Sequence, residues 1–395
     1  MSKSGEALFN YRLLTWARKK SGYDIATLAK KTNVREPQLT EWEGGTSRPT
    51  IKQLRNLGRI IRRPLAFFYL PEVPRDFQPI KDFRRLPNTP TLPQSPELTL
   101  EIRKAYERRE IALDLHQLLN TQPRVFDLRT NLSADPERIG RLLRQELGIT
   151  FQEQSQWKVP HRAFNNWRRA LEDRGILVFQ TSDVALSEIR GFSIAEIPLP
   201  AVVVNMKERS PRARIFTLIH ELCHVMLRTP GVCNLNERVG RIEVFCNMVA
   251  GATIIPKEEF LTETNRGHQR GAGWTEEEIE RLSTQFGASK EAVVRRLTVC
   301  GLASEDFYQR KRKQYREEYE RWEEEQQERQ SEGFAPPYLV AFGAAGPLFT
   351  RLVLEGYDHE RITASDVAGY LELRLKHLPR VRGLLTHLHP PPSNG

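Results

Sequence analysis

The amino-acid sequence predicts a multidomain, mainly α-helical protein with a small α+β core. Three observations carry this prediction. Apolar residues recur at helical spacing through residues 1–70 and again beyond residue 274. Three short apolar runs in the middle of the chain, at 175–179, 191–194 and 201–204, have the length and composition of strands. A chain of 395 residues also exceeds one average domain, so two or three compact units are expected.

The composition is that of a soluble chain able to bury a sizeable core, with 39% hydrophobic and 28% charged residues. No apolar run approaches the ~20 residues of a membrane span, and residues 1–14 lack the pattern of a signal peptide. A cytoplasmic protein with no membrane partner is therefore expected. The net charge of +10 suits a nucleic-acid or acidic protein partner, and equally a well-solvated basic surface. Without CxxC spacing, the cysteines are expected to be reduced core residues: Cys223, Cys233, Cys246 and Cys300.

The spacing of apolar residues within 1–70 predicts a small helical bundle in which one helix packs across a second, exposed helix. The positions that carry this pattern are Leu28, Ala29, Val34, Leu39, Trp42, Gly45, Pro49 and Leu54. The segment resembles the Cro/C1-type (XRE) helix-turn-helix, and the resemblance implies an exposed recognition helix at 35–41. The residues predicted to contact DNA are Arg35, Gln38, Thr40, Arg48 and Lys52.

Acidic residues in this predicted recognition helix make it uncertain from the sequence whether the helix binds DNA or protein. Glu36 and Glu41 would bring carboxylates near DNA phosphates, and Ile25 stands where the resembling family commonly has a phosphate-contacting Gln. Two interpretations follow: residues 1–70 bind DNA, or they serve protein contact or formation of a homodimer.

The remaining segments outside the central domain are assigned from their composition. Closely spaced prolines make residues 71–97 an extended, semi-rigid linker, and residues 98–134 are expected to form a helical connector. Residues 301–332 predict a charged helix, solvated and crossed by ion pairs between neighbouring turns. Residues 333–395 are expected to hold a small C-terminal helical module and a disordered tail.

The strongest functional signal is the HExxH segment His220-Glu221-Leu222-Cys223-His224. Residues four apart share one helix face, so His220 and His224 can present two imidazoles to one metal ion. The flanking residues 214–219 and 225–227 contain no Gly or Pro and are mostly apolar, which predicts a buried helix. Two neutral imidazoles favour Zn²⁺ over cations that prefer oxygen ligands.

A hydrolytic zinc site needs a third protein ligand and one open position for water. Glu243, nineteen positions after His224 in a second helical segment, is the predicted third ligand. Asn247, one turn further on, is predicted to hydrogen-bond Glu243. Glu221 does not ligate and is predicted to act as the general base.

The two segments resemble those of the ImmA/IrrE family of metallopeptidases. Residues 217–224 are similar to the family's "HELGH" helix, and 243–247 followed by 254–256 to its second helix. Further similarity lies at 190–193, 202–205 and 286–297. The resemblance covers residues 135–300 and implies a zincin-like domain with one zinc ion.

This chain departs from the family pattern at two places. Cys223 replaces the usual Gly, and Met248-Val249 stands where the family has a polar residue and Phe. Both are packing changes, and the four residues of the zinc chemistry are intact. The resemblance implies limited, site-specific cleavage of a regulatory protein such as a repressor or antitoxin.

Two functional hypotheses remain. The first is a regulatory zinc endopeptidase coupled to a helix-turn-helix, acting in a stress, phage or toxin–antitoxin response. The second is an antitoxin-like regulator that binds DNA and neutralises a toxin encoded nearby, with a weak or silent peptidase site. An intact Glu221 argues against a silent site, because a scaffold has no physical need for a non-ligand glutamate beside an open zinc position.

Overall fold

A computed structural model of the chain is mainly helical, with one three-stranded sheet in the residues it describes. These residues are 9–63, 65–72, 95–228, 235–266, 273–328 and 336–388. The chain divides into two compact units, a first unit of Met1–Lys81 with Asn88–Lys104 and a second unit of Asp82–Pro87 with Ala105–Gly395. The prediction of a multidomain, mainly α protein is confirmed.

The first unit is built from short helices whose ends are set by local signals. Its helices are α1 (Tyr11–Lys20), α2 (Ile25–Thr32), α3 (Glu36–Gly44), α4 (Ile51–Ile60), a 3₁₀ turn (Leu65–Tyr69) and the start of α5 (Pro96–Leu118). Asp24 caps α2, and Thr50 with Gln53 forms a capping box on α4. Asn33 and Gly45 end α2 and α3 in left-handed conformations. The core includes Leu13, Leu14, Leu28, Leu39, Trp42, Leu54, Leu57 and Phe68.

The predicted linker and connector are only partly as expected. Most of the linker, residues 73–94, lies outside the described residues. Its last residues belong to α5, because a proline at the first helical position, here Pro96, loses no hydrogen bond. The connector is helical only as far as Leu118, and residues 121–131 have no regular structure.

The second unit contains the predicted sheet. Helices α6 (Pro136–Leu147), α7 (Phe151–Gln156) and α8 (Pro160–Glu172) come before strands β1 (Leu177–Thr181), β2 (Gly191–Ile194) and β3 (Ala201–Asn205). β3 lies in the middle, parallel to β1 and antiparallel to β2. β1 begins two residues later than predicted because Gly175 is in the turn after α8, with φ +78°.

Two long helices follow the sheet, and three shorter ones complete this part of the unit. They are α9 (Pro211–Leu227), α10 (Leu235–Ile254), α11 (Lys257–Thr264), α12 (Glu276–Phe286) and α13 (Lys290–Val299). α9 contacts β2, β3, α8 and α10, which places it at the centre of the packing. Its apolar residues Ile215, Leu218, Ile219, Leu222, Val225 and Met226 belong to the main hydrophobic core.

The C-terminal region is helical. Its elements are α14 (Glu305–Glu328), α15 (Pro337–Ala345), α16 (Pro347–Asp358), α17 (Ala364–Tyr370), a 3₁₀ turn (Leu375–His377) and α18 (Leu378–Leu388). The expectation that the charged helix is simply solvated was wrong, because Tyr308 and Tyr315 of α14 are buried in the main core. The predicted disordered tail, residues 389–395, lies outside the described residues.

No single helix in the described part of the chain is long and apolar enough to cross a membrane. Taken together, α15 and α16 have the length and apolar composition of a membrane span, but a bend of 100° separates the two helices.

Candidate metal centre

The HExxH helix α9 and the following helix α10 bring together three side chains that could hold a metal ion. One ligand atom each of His220, His224 and Glu243 lies within 4.8 Å of the other two. Ser210 caps α9 and Pro211 occupies its first position, so the helix runs without interruption through both histidines. The 220/224 spacing then places both imidazoles on one face, opposite Glu243 of α10.

The three ligand atoms face one another directly. Nε2 of His220 lies 3.1 Å from Oε2 of Glu243 and 3.0 Å from Nε2 of His224. Nε2 of His224 lies 3.4 Å from Oε1 of Glu243. Two imidazole nitrogens and a carboxylate therefore converge on one point.

Both histidines are contacted on their other ring nitrogen by neighbouring residues of α10. Oδ1 of Asn247 lies 2.9 Å from Nδ1 of His220, and Sγ of Cys246 lies 3.1 Å from Nδ1 of His224. Asn247 was predicted to hydrogen-bond Glu243, but its Oδ1 contacts Nδ1 of His220 instead. Cys246 was predicted only to pack in the core, but its sulfur also contacts Nδ1 of His224.

The donor set fits a zinc ion. When Nδ1 of His220 directs a hydrogen at Asn247, and Nδ1 of His224 directs one at Cys246, the Nε2 atom of each ring presents a lone pair. Two such lone pairs 3.0 Å apart beside the carboxylate of Glu243 repel one another unless a cation or a proton lies between them. Two imidazoles and one carboxylate are ligands that zinc prefers, and they leave a fourth position open.

Burial and charge oppose each other at His220. Burial disfavours the imidazolium form, but the nearby carboxylates of Glu243 and Glu221 outweigh it and raise the pKa of His220 above its ordinary value. His224 is 4% exposed and Glu221 7% exposed. The centre is therefore closed on the side of His224 and Glu221, while the side chains of His220 and Glu243 are 14% and 16% exposed.

Glu221 is held from the sheet. Oγ of Ser193 on β2 donates a hydrogen bond of 2.9 Å to Oε2 of Glu221. Ser193 had no predicted role, although it lies in the segment 190–193 that resembles the ImmA/IrrE family. That resemblance is the signal that could have identified it.

The residues predicted to contact DNA all lie in the first unit. Arg35, Thr40, Arg48 and Lys52 are exposed, and Gln38 is half-buried. Arg35 is the N-cap of α3, and Gln38 and Thr40 lie within that helix. Arg48 follows α3, and Lys52 is in the first turn of α4.

Comparison with known proteins supports a metallopeptidase of the ImmA/IrrE type in the middle of the chain. Residues 171–298 match the model of the Peptidase_M78 family, described as an IrrE N-terminal-like domain. The match runs from the end of α8 into α13 and includes His220, His224 and Glu243. No curated protein and no solved structure matched the chain.

Proposed function

We propose that the second unit is a zinc-dependent endopeptidase that makes site-specific cuts in a regulatory protein. The observation that carries the proposal is the convergence of His220, His224 and Glu243, with Glu221 held beside them by Ser193. The family match at 171–298 supports the same reaction class.

The roles of the residues follow from their positions. A zinc ion held by His220, His224 and Glu243 would acidify a bound water and polarise the scissile carbonyl. Glu221 takes the proton of the water and passes it to the leaving amine. Ser193 holds the Glu221 carboxylate at one oxygen and so limits its rotation. Burial of Glu221 strengthens its electrostatic effect on a nearby proton.

The first unit is proposed to be a helix-turn-helix of the Cro/C1 type that binds DNA. Residues 9–72 contain thirteen Lys and Arg against five Asp and Glu, so a large share of the net charge of +10 lies here. Helices α2 and α3, joined through the left-handed Asn33, have the lengths that such a motif requires. This charge favours DNA over protein contact or homodimer formation, because phosphate contacts dominate DNA affinity.

A peptidase joined to a DNA-binding helix-turn-helix suits a regulatory protein. The proposed substrate is a repressor or antitoxin-like protein encoded nearby, cut in a stress, phage or toxin–antitoxin response. The alternative is an antitoxin-like regulator that binds a neighbouring toxin and does not cut, and the two differ in their dependence on Glu221.

Metal analysis and one conservative variant test the peptidase. We expect about one zinc per chain, lost in His224→Ala. Glu221→Gln is expected to retain zinc and fold but to lose cleavage of the proteins encoded by neighbouring genes. Glu258→Gln, at a side chain 81% exposed on α11, is the matched control and should cut normally. A wild-type protein without zinc would overturn the proposal, and a fully functional Glu221→Gln variant in cells would favour the antitoxin-like alternative.

DNA binding is tested by its dependence on salt. We expect the protein to bind its own promoter region with an affinity that falls as salt rises. Lys52→Ala is expected to weaken binding to all sequences and to reduce the salt slope by about 1. Gln38→Ala with Thr40→Ala is expected to reduce sequence preference. Unchanged binding in that double variant would exclude α3 as the recognition helix, and a change in oligomeric state alone would favour homodimer formation.

A further inference from the structure

One turn of α10 serves both histidines of the candidate centre. Glu243 approaches the Nε2 atoms, Asn247 contacts Nδ1 of His220, and Cys246 contacts Nδ1 of His224. Positions 243, 246 and 247 share one face of a helix, because they are three and four residues apart. The helix therefore presents one charged group and two orienting groups together.

The contact of Cys246 lies on the side of His224 that faces away from the cluster. Nε2 of His224 points towards His220 and Glu243, so metal binding at Nε2 requires the hydrogen to be on Nδ1. Nδ1–H then donates to the sulfur of Cys246 at 3.1 Å. Among the described residues, the group able to hold a metal ion consists of His220, His224 and Glu243, without Cys246.

We propose that Cys246 is a positioning residue that fixes the ring orientation and tautomer of His224 for metal binding. The proposal rests on the zinc site proposed above. Orienting partners of this kind are usually carboxylates or backbone carbonyls. In this chain the thiol of Cys246 occupies that place.

The burial of each histidine explains the different partners. The His220 side chain is 14% exposed, and its partner Asn247 is exposed, so an amide can keep its remaining hydrogen bonds with water. His224 is 4% exposed and Cys246 is fully buried in the apolar core. A thiol accepts a weak hydrogen bond there while packing as a small apolar group, without the cost of burying an amide or carboxylate.

Three variants of the full-length protein test this role. Cys246→Ala removes the acceptor, and Cys246→Ser restores an acceptor of similar size. Cys223→Ala is the matched control, since Cys223 is also 0% exposed and belongs to the same core. Zinc affinity is measured by competition with a chelator, and the His224 tautomer by ¹⁵N NMR of the metal-free protein with labelled histidine.

We expect Cys246→Ala to weaken zinc binding by about 10- to 100-fold and to lose the Nδ1–H tautomer signal of His224. Cys246→Ser should keep that signal and recover most of the affinity, and Cys223→Ala should retain both. Equal losses in Cys246→Ala and Cys223→Ala, or an unchanged tautomer and affinity in Cys246→Ala, would overturn the role of Cys246. If wild-type protein bound no zinc, the peptidase proposal would fail, while the tautomer signal would still decide whether Cys246 orients His224.

Discussion

Oγ of Ser193 lies 2.9 Å from Oε2 of Glu221, so the end of strand β2 is hydrogen-bonded to the glutamate of the HExxH motif. Ser193 and Glu221 are 28 residues apart in the sequence. The contact depends on β2 lying against α9, and it joins the sheet to the side chain proposed as the general base.

Replacing Ser193 by Ala should slow cleavage while leaving the metal in place. Glu221 would lose a hydrogen bond that restrains its carboxylate, and misplacement of a catalytic group by about 1 Å can lower the rate by about 100-fold. We expect kcat to fall by about 10- to 100-fold with little change in KM. Ser193→Thr keeps the hydroxyl and should retain most activity.

Zinc content is the control for this prediction, because Ser193 contacts Glu221 and the proposed ligands are His220, His224 and Glu243. Loss of zinc in Ser193→Ala would show that the serine supports the fold of the centre instead of orienting the base.

Gly191 allows β2 to approach α9 closely enough for that hydrogen bond. A Cβ atom at position 191 would lie 2.7 Å from Cγ2 of Thr217 and 2.8 Å from the carbonyl oxygen of Val203. We expect Gly191→Ala to lower the free energy of unfolding by about 1–3 kcal/mol through overpacking, as measured by chemical denaturation. Gly251→Ala on α10 is the control, because a Cβ there meets no atom within 4 Å. Equal effects of the two variants would contradict this explanation.

The first unit contains a buried ion pair whose loss should destabilise it. Arg18 of α1 donates to both carboxylate oxygens of Glu43 of α3, at 2.7 and 2.9 Å, and these side chains are 10% and 8% exposed. Glu43→Ala leaves the guanidinium buried without its partner, which costs about 3 kcal/mol. Hydrogen exchange of residues 9–63 in the full chain should become faster.

The matched control is Glu41→Ala, which removes an exposed carboxylate from the same helix. Replacing both partners, as Arg18→Met with Glu43→Leu, should cost less than Glu43→Ala alone, because no charge is left buried. A double variant that exchanges faster than Glu43→Ala would show that the pair is needed for more than mutual neutralisation.

Features with a local period could be predicted from the sequence. The 220/224 spacing lies within one helix, and the strands at 191–194 and 201–205 lie within two residues of their predicted ends. The residues that contact Nδ1 of each histidine could not be predicted. Cys246 and Asn247 lie on the same face as Glu243, and which ring each one meets depends on the rotation of α10 about its axis against α9.

The charged helix α14 shows a second limit. Its many Lys, Arg and Glu residues indicated a solvated helix, yet Tyr308 and Tyr315 recur seven residues apart and pack in the core. Two aromatic side chains on one face bury enough apolar area to dock a helix, even where most of its other residues are charged. The seven-residue spacing of the two tyrosines was visible in the sequence, but the highly charged composition of the segment favoured the prediction of a solvated helix.

The buried pair of Arg168 and Glu172 on α8 should make stability depend on pH. Burial raises the pKa of Glu172 to about 7, although Arg168 and the backbone N–H of Leu348 act in the opposite direction. The ordinary pKa of a glutamate in an unfolded chain is about 4.3. Between these two values the folded protein binds the proton more tightly, so the contribution to stability is complete below about pH 4 and is lost as pH rises through about 7.

Glu172→Gln removes this titration while preserving the shape of the side chain. We therefore expect the melting temperature of Glu172→Gln, relative to wild type, to rise between about pH 4 and about pH 7, the range set by the pKa difference above. Arg168 keeps its bonds to the carbonyl oxygens of Val178 and Gly343, which connect α8 to β1 and α15, so the variant should still fold. Glu258→Gln should show no such change, and a constant difference between Glu172→Gln and wild type across this range would contradict the raised pKa.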